Sequence, residues 1–386
     1  MKKKSGEVQK NDLQAEVEEK LLTELSMNSR SGIDKVSQQA NLSRGSVYKL
    51  IGKLVEKYDL HFVPEINLER IWKYEFIALT RRKSKREIYQ TPVNKLGFES
   101  FAMLTKFAGK MPSNEEILAA IGKSYLPQYI ARLSGQYSLF IYAVARNSAE
   151  ASEFQYSFMN KLSKYNSIPR IKAIYPTFGF FPITNALIEQ MNIQVSYKRI
   201  LQALNNGTRR RFIEMGKEIG VDNQMIGFDY ARMQDIGILR RSTLYMGKPP
   251  EPIIKLFMIS IRQREKFLKN RQRFLLDFVK KRVNTFVFMS NQIDPEGFLI
   301  IAKFNSPYEE EEFRKSIERL NMGVKIFEST VIKTIYGHLG IRSFVPEETD
   351  QYKELESKGL VPKVQRTYKT LPKRSIDEEP DLLEEL

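Results

Sequence analysis

The 386-residue chain contains no cysteine, and this absence removes several kinds of chemistry at once. Disulfides, thiolate zinc sites, iron–sulfur clusters and cysteine nucleophiles all require the thiol or thiolate of that residue. A chain without cysteine also fits the reducing conditions of the cytoplasm, which is the location that we expect.

Histidine is nearly absent, since His61 and His338 are the only two and lie far apart in the sequence. An acid–base site or a metal centre built on histidine would have to use this pair. The first 25 residues lack the apolar core of a signal peptide, and no apolar run approaches the length of a membrane-spanning helix. We therefore expect a protein that is not an enzyme, uses no cofactor or metal, and has no membrane partner.

Positive charge is what the sequence has in excess. There are 62 Lys and Arg against 46 Asp and Glu, which gives a net charge of +16 at pH 7. An excess of this size predicts a polyanionic partner, because the release of counterions drives the binding of cationic proteins to phosphates.

The chain repeats itself: residues 20–60 match residues 199–239 at a constant offset of 179, without a gap. Such an internal repeat predicts two copies of one structural unit. Apolar residues coincide at the pairs Leu21 and Ile200, Leu25 and Leu204, Val36 and Met215, Val47 and Ile226, and Leu54 and Met233.

Each copy has the pattern of three helices with a tight turn before the third. In the first copy Asn41 lies in the turn and Ser43 is a good N-cap, while Gly220 and Asp222 hold these positions in the second. This pattern is typical of a helix-turn-helix. The alternative is a plain helical hairpin that serves packing only.

After each copy, strands and helices alternate in the order βαββαβ, which is typical of a ferredoxin-like domain. The elements predicted in the first half are Phe98–Phe107, Asn114–Lys123, Tyr129–Leu133, Tyr137–Ala145, Ala149–Tyr165 and Ile171–Phe178. Those predicted in the second half are Ile253–Ile261, Glu265–Lys281, Thr285–Met289, Phe298–Phe304, Glu309–Leu320 and Val324–Ile335.

The predicted fold class is α+β, with two winged or helix-turn-helix three-helix domains alternating with two ferredoxin-like βαββαβ domains. The linker carries an inserted hairpin over 73–90, with strands at Tyr74–Thr80 and Glu87–Gln90 and a basic tip that either contacts phosphates or is merely solvated. The predicted domains are 1–62 (helix-turn-helix), 63–97 (linker), 98–182 (ferredoxin-like), 183–250 (helix-turn-helix), 251–345 (ferredoxin-like) and 346–386 (an acidic tail expected to be disordered).

A helix-turn-helix inserts the N-terminal end of its last helix into the major groove of DNA. Arg44 can donate two hydrogen bonds to guanine, whereas Asn223 and Gln224 suit adenine. The DNA-binding residues predicted are Arg44, Ser46, Tyr48, Lys49 and Lys53 in the first copy and Asn223, Gln224 and Arg232 in the second, with Arg209, Arg210 and Arg211 on phosphates. The alternative for each is a solvated helix face.

With these units laid out, the sequence resembles the Lrp/AsnC family of transcription regulators. Gly32–Leu60 (GIDKVSQQANLSRGSVYKLIGKLVEKYDL) resembles the family's helix-turn-helix. Leu96–Ile121 (LGFESFAMLTKFAGKMPSNEEILAAI) is similar to the first strand and helix of its RAM domain. The resemblance covers about residues 13–345, apart from the insertion.

Membership of this family implies that RAM sheets pair, so that one chain imitates a dimer and further copies associate through the same sheets. It also implies a small effector, such as an amino acid, at the turn between the second and third RAM strands. The effector residues at that turn are Gly135, Gln136 and Ser138.

We therefore expect a regulator that binds specific sequences of double-stranded DNA. Two other interpretations stay open. Some proteins of the same build are tetrapyrrole decarboxylases, so the fold by itself does not exclude an enzyme. A non-specific architectural or RNA-binding protein would also explain the positive charge.

Overall fold

The structure is a computed structural model, and it describes residues 17–18, 20–22, 24–25, 29–68, 70–75, 97–165, 167–176, 183–246, 253–263, 265, 285–290, 297–304, 306–319 and 324–337. Helices and strands are both abundant, which confirms the α+β class. The helices are α1 (Ile33–Ala40), α2 (Arg44–Tyr58), α3 (Asn114–Ile121), α4 (Ser148–Lys161), α5 (Asn185–Gln190), α6 (Val195–Asn205), α7 (Phe212–Ile219), α8 (Asn223–Asp235) and α9 (Pro307–Glu318). The strands are β1 (Leu60–Ile66), β2 (Glu99–Phe107), β3 (Pro127–Gly135), β4 (Leu139–Ala145), β5 (Ser167–Pro176), β6 (Leu239–Met246), β7 (Ile253–Ile261), β8 (Thr285–Ser290), β9 (Gly297–Phe304) and β10 (Val324–Gly337).

Several predictions fall outside these described residues. They are the hairpin beyond residue 75, the helix Glu265–Lys281 apart from its first residue, and the tail 346–386. One prediction is corrected, because residues 70–75 are helical and the strand expected from Tyr74 therefore does not begin there. Ile71 and Glu75, one helical turn apart, are both buried on one face of this helical segment.

The two predicted helical turns have the expected caps. Asn41 ends α1 in the left-handed region with φ 51°, and Ser43 Oγ accepts a hydrogen bond from Ser46 N at 3.1 Å to begin α2. In the second copy Gly220 has φ 67°, and Asp222 Oδ1 accepts from Gln224 N at 2.8 Å to begin α8. These short polar residues supply the acceptors that the first amides of a helix lack.

Each group of helices is followed by a strand, and β1 and β6 pair with each other in an antiparallel two-stranded sheet. The register runs from Leu60 opposite Met246 to Pro64 opposite Ser242. The sequence patterns predict no strand at either place. Proline is rare in central strands because it has no N–H to donate to a neighbouring strand. In a two-stranded sheet both strands are edge strands, so Pro64 is tolerated in β1.

The remaining strands form a closed barrel in the order β10-β3-β4-β2-β5-β8-β9-β7. The first half contributes β3-β4-β2-β5 and the second contributes β8-β9-β7-β10, so the strand order is the same in both. One seam between the halves joins β10 to β3, and the other joins β5 to β8 through Ile174 to Pro176 opposite Ser290 to Phe288.

The barrel strands have an outer and an inner face. On the outer face of the first half, Phe101 and Met103 pack with Ile117 of α3 and Phe158 of α4. On the inner face, Ala102 and Leu104 of β2 belong to the same buried cluster as Leu256 and Ile301 of the second half. The side chains of β2 therefore alternate between a helix-covered layer and the barrel interior.

A buried carboxylate ties the helical linker to the barrel. Glu75 is 2% exposed and accepts hydrogen bonds from Arg146 Nη1 at 2.8 Å, from Gly97 N at 2.6 Å and from Asn192 N at 2.6 Å. The Arg146 guanidinium lies 4.0 Å from the ring centroid of Phe98. The ion pair with Arg146 and the two backbone hydrogen bonds offset the desolvation cost of burying the Glu75 carboxylate. We therefore assign Glu75 a structural role.

Candidate functional site

The first predicted recognition helix, α2, presents its N-terminal half to solvent. Arg44, Ser46, Tyr48, Lys49 and Lys53 are all exposed, and Tyr48 retains 61% of its accessible surface. Two of these side chains have partners within the chain. Arg44 is paired with Asp34, and Ser46 Oγ lies 2.8 Å from Ser43 Oγ.

The equivalent face of the second copy has a different chemistry. Asn223, Gln224 and Arg232 are exposed, as predicted for contact residues. Between them lie Met225 and Phe228, which are 53% and 61% exposed. At the offset of 179 they replace Ser46 and Lys49, so this face is more apolar than its counterpart.

The three arginines before α7 lie in three environments. Arg211 is exposed, whereas Arg210 is half-buried and paired with Glu218. Arg209 Nη1 donates to Ser29 O at 2.5 Å, and its guanidinium lies 5.7 Å from the ring centroid of Phe62. Burial lowers the pKa of Arg209. Arg209 therefore contacts the first helical copy, and its phosphate contact stays a prediction.

Arg30, the equivalent of Arg209 in the first copy, makes the reciprocal contact. It donates to Thr208 O and, at 3.1 Å, to Arg210 O, and it lies 4.2 Å from the ring centroid of Phe212. Burial lowers its pKa as well. Arg30 and Arg209 are therefore both partly desolvated in the contact between the two helical copies. The sequence run Arg209 to Arg211 does not by itself indicate this contact.

The predicted effector turn packs against the other half of the barrel. Gln136 N donates to Glu328 O at 3.2 Å, and Ser138 Oγ accepts from Phe107 N at 3.3 Å. A Cβ atom on Gly135, whose φ is 111°, would lie 2.9 Å from Glu328 O. The backbone of the turn thus serves closure of the barrel, because only glycine permits this approach.

Two tyrosines that sequence analysis did not single out lie on the inner face of the barrel. Tyr142 Oη is 2.9 Å from Ser100 Oγ, and Tyr129 Oη is 3.2 Å from Thr334 Oγ1. Burial raises the pKa of each phenol to about 12. Both hydroxyls therefore keep their protons at neutral pH and can donate a hydrogen bond or a proton.

Strand β5 pairs with β2 on the side away from β4. Its register places Lys172 opposite Ala102 and Arg170 opposite Leu104, and both β2 residues belong to the inner cluster. Directly opposed residues of an antiparallel pair lie on one face of a sheet. The sequence signal is the alternation of Ile168, Arg170, Lys172 and Ile174 with Pro169, Ile171 and Ala173, which sequence analysis did not use.

A separate cleft of about 330 Å³ lies at the outer end of β2 and β5 and is lined by Ala108, Lys110, Lys164 and Tyr165. Its charge is largely compensated, because Lys164 Nζ and Tyr165 Oη lie 2.7 Å and 2.5 Å from the Glu116 carboxylate. The hydrogen bonds from Lys164 and Tyr165 lower the pKa of Glu116 to about 2.

The described residues contain no group of three or more His, Asp and Glu side chains that could hold a metal ion. None of their helices is both long enough and apolar enough to cross a bilayer.

No protein-family model matches the chain, and neither does any curated protein. Solved structures do match. The siroheme decarboxylase NirDL is 14% identical and covers 89% of this chain and 99% of its own, with a TM-score of 0.52. The same enzyme in complex with an iron-uroporphyrin III analogue covers 88% and 98% at 14% identity, with a TM-score of 0.51. An AsnC family transcriptional regulator from Agrobacterium tumefaciens is 13% identical over 40% of this chain and 87% of its own, with a TM-score of 0.27.

The likeness to NirDL spans nearly the whole chain and shows a shared fold. It corrects the expectation that this protein is not an enzyme, because the solved structures that match most of the chain are those of a decarboxylase. That expectation failed because it relied on helical and strand patterns that an enzyme and a regulator of the same build have in common. The chain therefore shares its α+β fold with siroheme decarboxylase NirDL.

Proposed function

We propose that this chain is an enzyme that removes a carboxyl group from a carboxylate-bearing tetrapyrrole of the siroheme type. The observation that carries the proposal is the correspondence in fold with NirDL over 89% of the chain. The net charge of +16 supports it, because a polycarboxylate substrate is a polyanion just as a nucleic acid is.

Decarboxylation makes two demands on the protein. The bond to the carboxylate breaks and its electron pair stays on the substrate carbon, which must then receive a proton. Tyr142, protonated at neutral pH and fixed by Ser100, is the group that we assign to this proton delivery. Other Lys and Arg residues of this basic chain would bind the remaining carboxylates of the substrate.

The chain organisation belongs to the same proposal. Two copies of a helix-turn-helix and ferredoxin-like unit, with the boundaries predicted from the sequence, would form a dimer-like arrangement within one chain. The identical strand order of the two halves supports this model, as does the side-chain contact between Ser29 and Thr208 at the repeat offset of 179.

Incubation of the purified chain with siroheme, followed by mass spectrometry of the pigment, tests the proposal. We expect a product lighter by one or more molecules of CO2. Tyr142→Phe should slow its formation while leaving the chain folded, and Tyr156→Phe, at a residue 71% exposed, is the matched control. Unchanged siroheme after prolonged incubation with the folded protein would contradict the proposed activity.

A second candidate function, binding of duplex DNA, is favoured by the exposed face of α2. Selection of bound fragments from random DNA at moderate salt separates the two candidates. A discrete site that is lost on Arg44→Ala supports sequence-specific binding, since that side chain can pair with guanine. Retention without any enriched site, or no retention, removes this candidate.

A further inference from the structure

We infer that an exposed stripe of α8 is a contact surface for the same stripe of a second copy of this chain. The α8 stripe consists of Met225, Phe228, Arg232 and Asp235, all of which are exposed. This contact forms whether or not the chain acts on a tetrapyrrole, so its test is independent of the proposed function.

The stripe has the spacing of a helix-packing surface. Its four residues follow one another at intervals of three, four and three positions, which places them along one side of a helix. Ile226 and Met233, which are fully buried, face the interior of the chain instead. Alternating intervals of three and four form the seam by which two helices pack against each other. On α8 this seam is open to solvent.

The first copy shows that the fold does not require apolar residues at this surface. Met225 and Phe228 are 53% and 61% exposed. At the offset of 179 the stripe corresponds to four exposed polar residues, Ser46, Lys49, Lys53 and Glu56. Exposed apolar surface is costly in water, and a cluster of it rimmed by polar residues marks a contact surface. We therefore expect the apolar half of the stripe to be covered.

The start of the second helix-turn-helix has changed in the same direction. In the first copy Asp34 and Arg44 form an ion pair. Their equivalents are Ile213, which is 53% exposed, and Asn223. Together with the replacement of Lys49 by Phe228, three charged side chains have been exchanged for uncharged ones. Such a surface suits a protein partner better than the phosphates of a duplex.

The charges of the stripe favour a second copy as that partner. Arg232 and Asp235 carry one charge of each sign, so the stripe is neutral and complementary to itself, as an isologous two-fold contact requires. The intervals are also symmetric about their centre. In an antiparallel pair of α8 helices, Phe228 lies opposite the partner's Arg232, and a guanidinium over an aromatic ring is stabilising. The symmetry provides this contact twice.

The size of the stripe sets the expected strength of the contact. A stable interface commonly buries about 800 Å² on each partner, which is more than four side chains of one helix provide. We therefore expect a reversible dimer with a Kd of roughly 1–100 µM, in the range of weak associations.

Sedimentation velocity of the full-length chain over a range of concentrations measures this dimer. Phe228→Lys introduces the residue that the first copy carries at the equivalent exposed position, so folding should be preserved. It should weaken association roughly 10- to 100-fold, the range for the loss of a central aromatic contact. Met225→Ser should weaken it less. Tyr156→Lys, at an exposed aromatic residue of α4, is the matched control and should leave the Kd unchanged.

Two results of this experiment overturn the inference. One is a chain that stays monomeric up to about 0.5 mM, well above the expected Kd. The other is a dimer whose Kd is the same in Phe228→Lys as in the parent, because its contact must then lie elsewhere.

A measurement on the unmutated protein covers the case in which a variant does not fold. Hydroxyl-radical labelling followed by mass spectrometry reports the exposure of individual side chains. Labelling of Met225 relative to Tyr156 should fall as the protein concentration rises through the Kd, and an unchanged ratio overturns the inference. Protection of Met225 by duplex DNA in a monomeric chain would assign the stripe to DNA and overturns it as well.

Discussion

Ser29 and Thr208 occupy equivalent positions 179 residues apart, and their hydroxyl oxygens lie 2.7 Å from each other in a fully buried contact. On either side of this pair, Arg30 and Arg209 each reach across to a carbonyl of the other copy. The sequence repeat is therefore also a physical contact, through which the two helical copies hold each other.

The hydroxyl pair predicts strong coupling between two substitutions. Ser29→Ala or Thr208→Val alone should lower the free energy of unfolding by about 1–3 kcal/mol, because each leaves a buried hydroxyl without its partner. The double variant should lose less than the sum of the two. Denaturant unfolding of the four proteins measures this, and strictly additive losses would show that the hydroxyls do not interact.

Two neighbouring arginines give a matched test of the contact between the copies. Arg209→Ala removes a hydrogen bond to Ser29 O and should cost about 1.5–3 kcal/mol, the range for bonds to charged groups. Arg211→Ala, at an exposed position, should stay within about 0.5 kcal/mol of the parent. Equal melting temperatures for the two variants would contradict the placement of Arg209.

The close approach at Gly135 makes a prediction about barrel closure. Gly135→Ala should lower the melting temperature more than Gly109→Ala does, although both residues have positive φ values of 111° and 133°. The reason is that a Cβ on Gly135 would lie 2.9 Å from Glu328 O, while one on Gly109 would meet nothing within 4 Å. Equal losses would mean that backbone strain alone is responsible.

The buried pair of Glu75 and Arg146 predicts a large effect from one carboxylate. Glu75→Ala should cost about 3–5 kcal/mol, because it leaves the charge of Arg146 buried without its partner. Lys315→Ala, which disrupts exposed pairs with Glu311 and Glu312, should cost about 0.5 kcal/mol or less. Chemical unfolding compares them, and a small loss for Glu75→Ala would contradict its central role.

Glu116 predicts a pH dependence with a defined sign. Its pKa is lowered from 4.5 to about 2 in the folded chain, so its contribution to stability is complete above about pH 4.5 and is lost as the pH falls towards 2. The melting temperatures of the parent and of Glu116→Gln should thus differ most above pH 5 and converge near pH 2. A difference that persists at pH 2 would assign the effect to packing.

Local patterns were sufficient to predict much of the architecture. α1 and β7 have the predicted bounds, and the turns at Asn41 and Gly220 have the expected caps, because periodicity and capping act over a few residues. The pairing of β1 with β6 was not predicted, since each strand is stabilised by a partner far away in the sequence. Sequence patterns did not separate a regulator from an enzyme, because proteins of both kinds share these elements.

The sequence by itself determined the α+β class, the repeat at an offset of 179 and the excess of positive charge, all of which can be derived from the order and kind of residues. Only the tertiary structure decided that Arg209 faces the other copy, that the turn at Gly135 closes a barrel, and that β5 pairs with β2 with Lys172 opposite Ala102. The physical reason is that strand register and the packing of distant segments determine which face of an element is buried. A single segment of sequence contains no information about its partner.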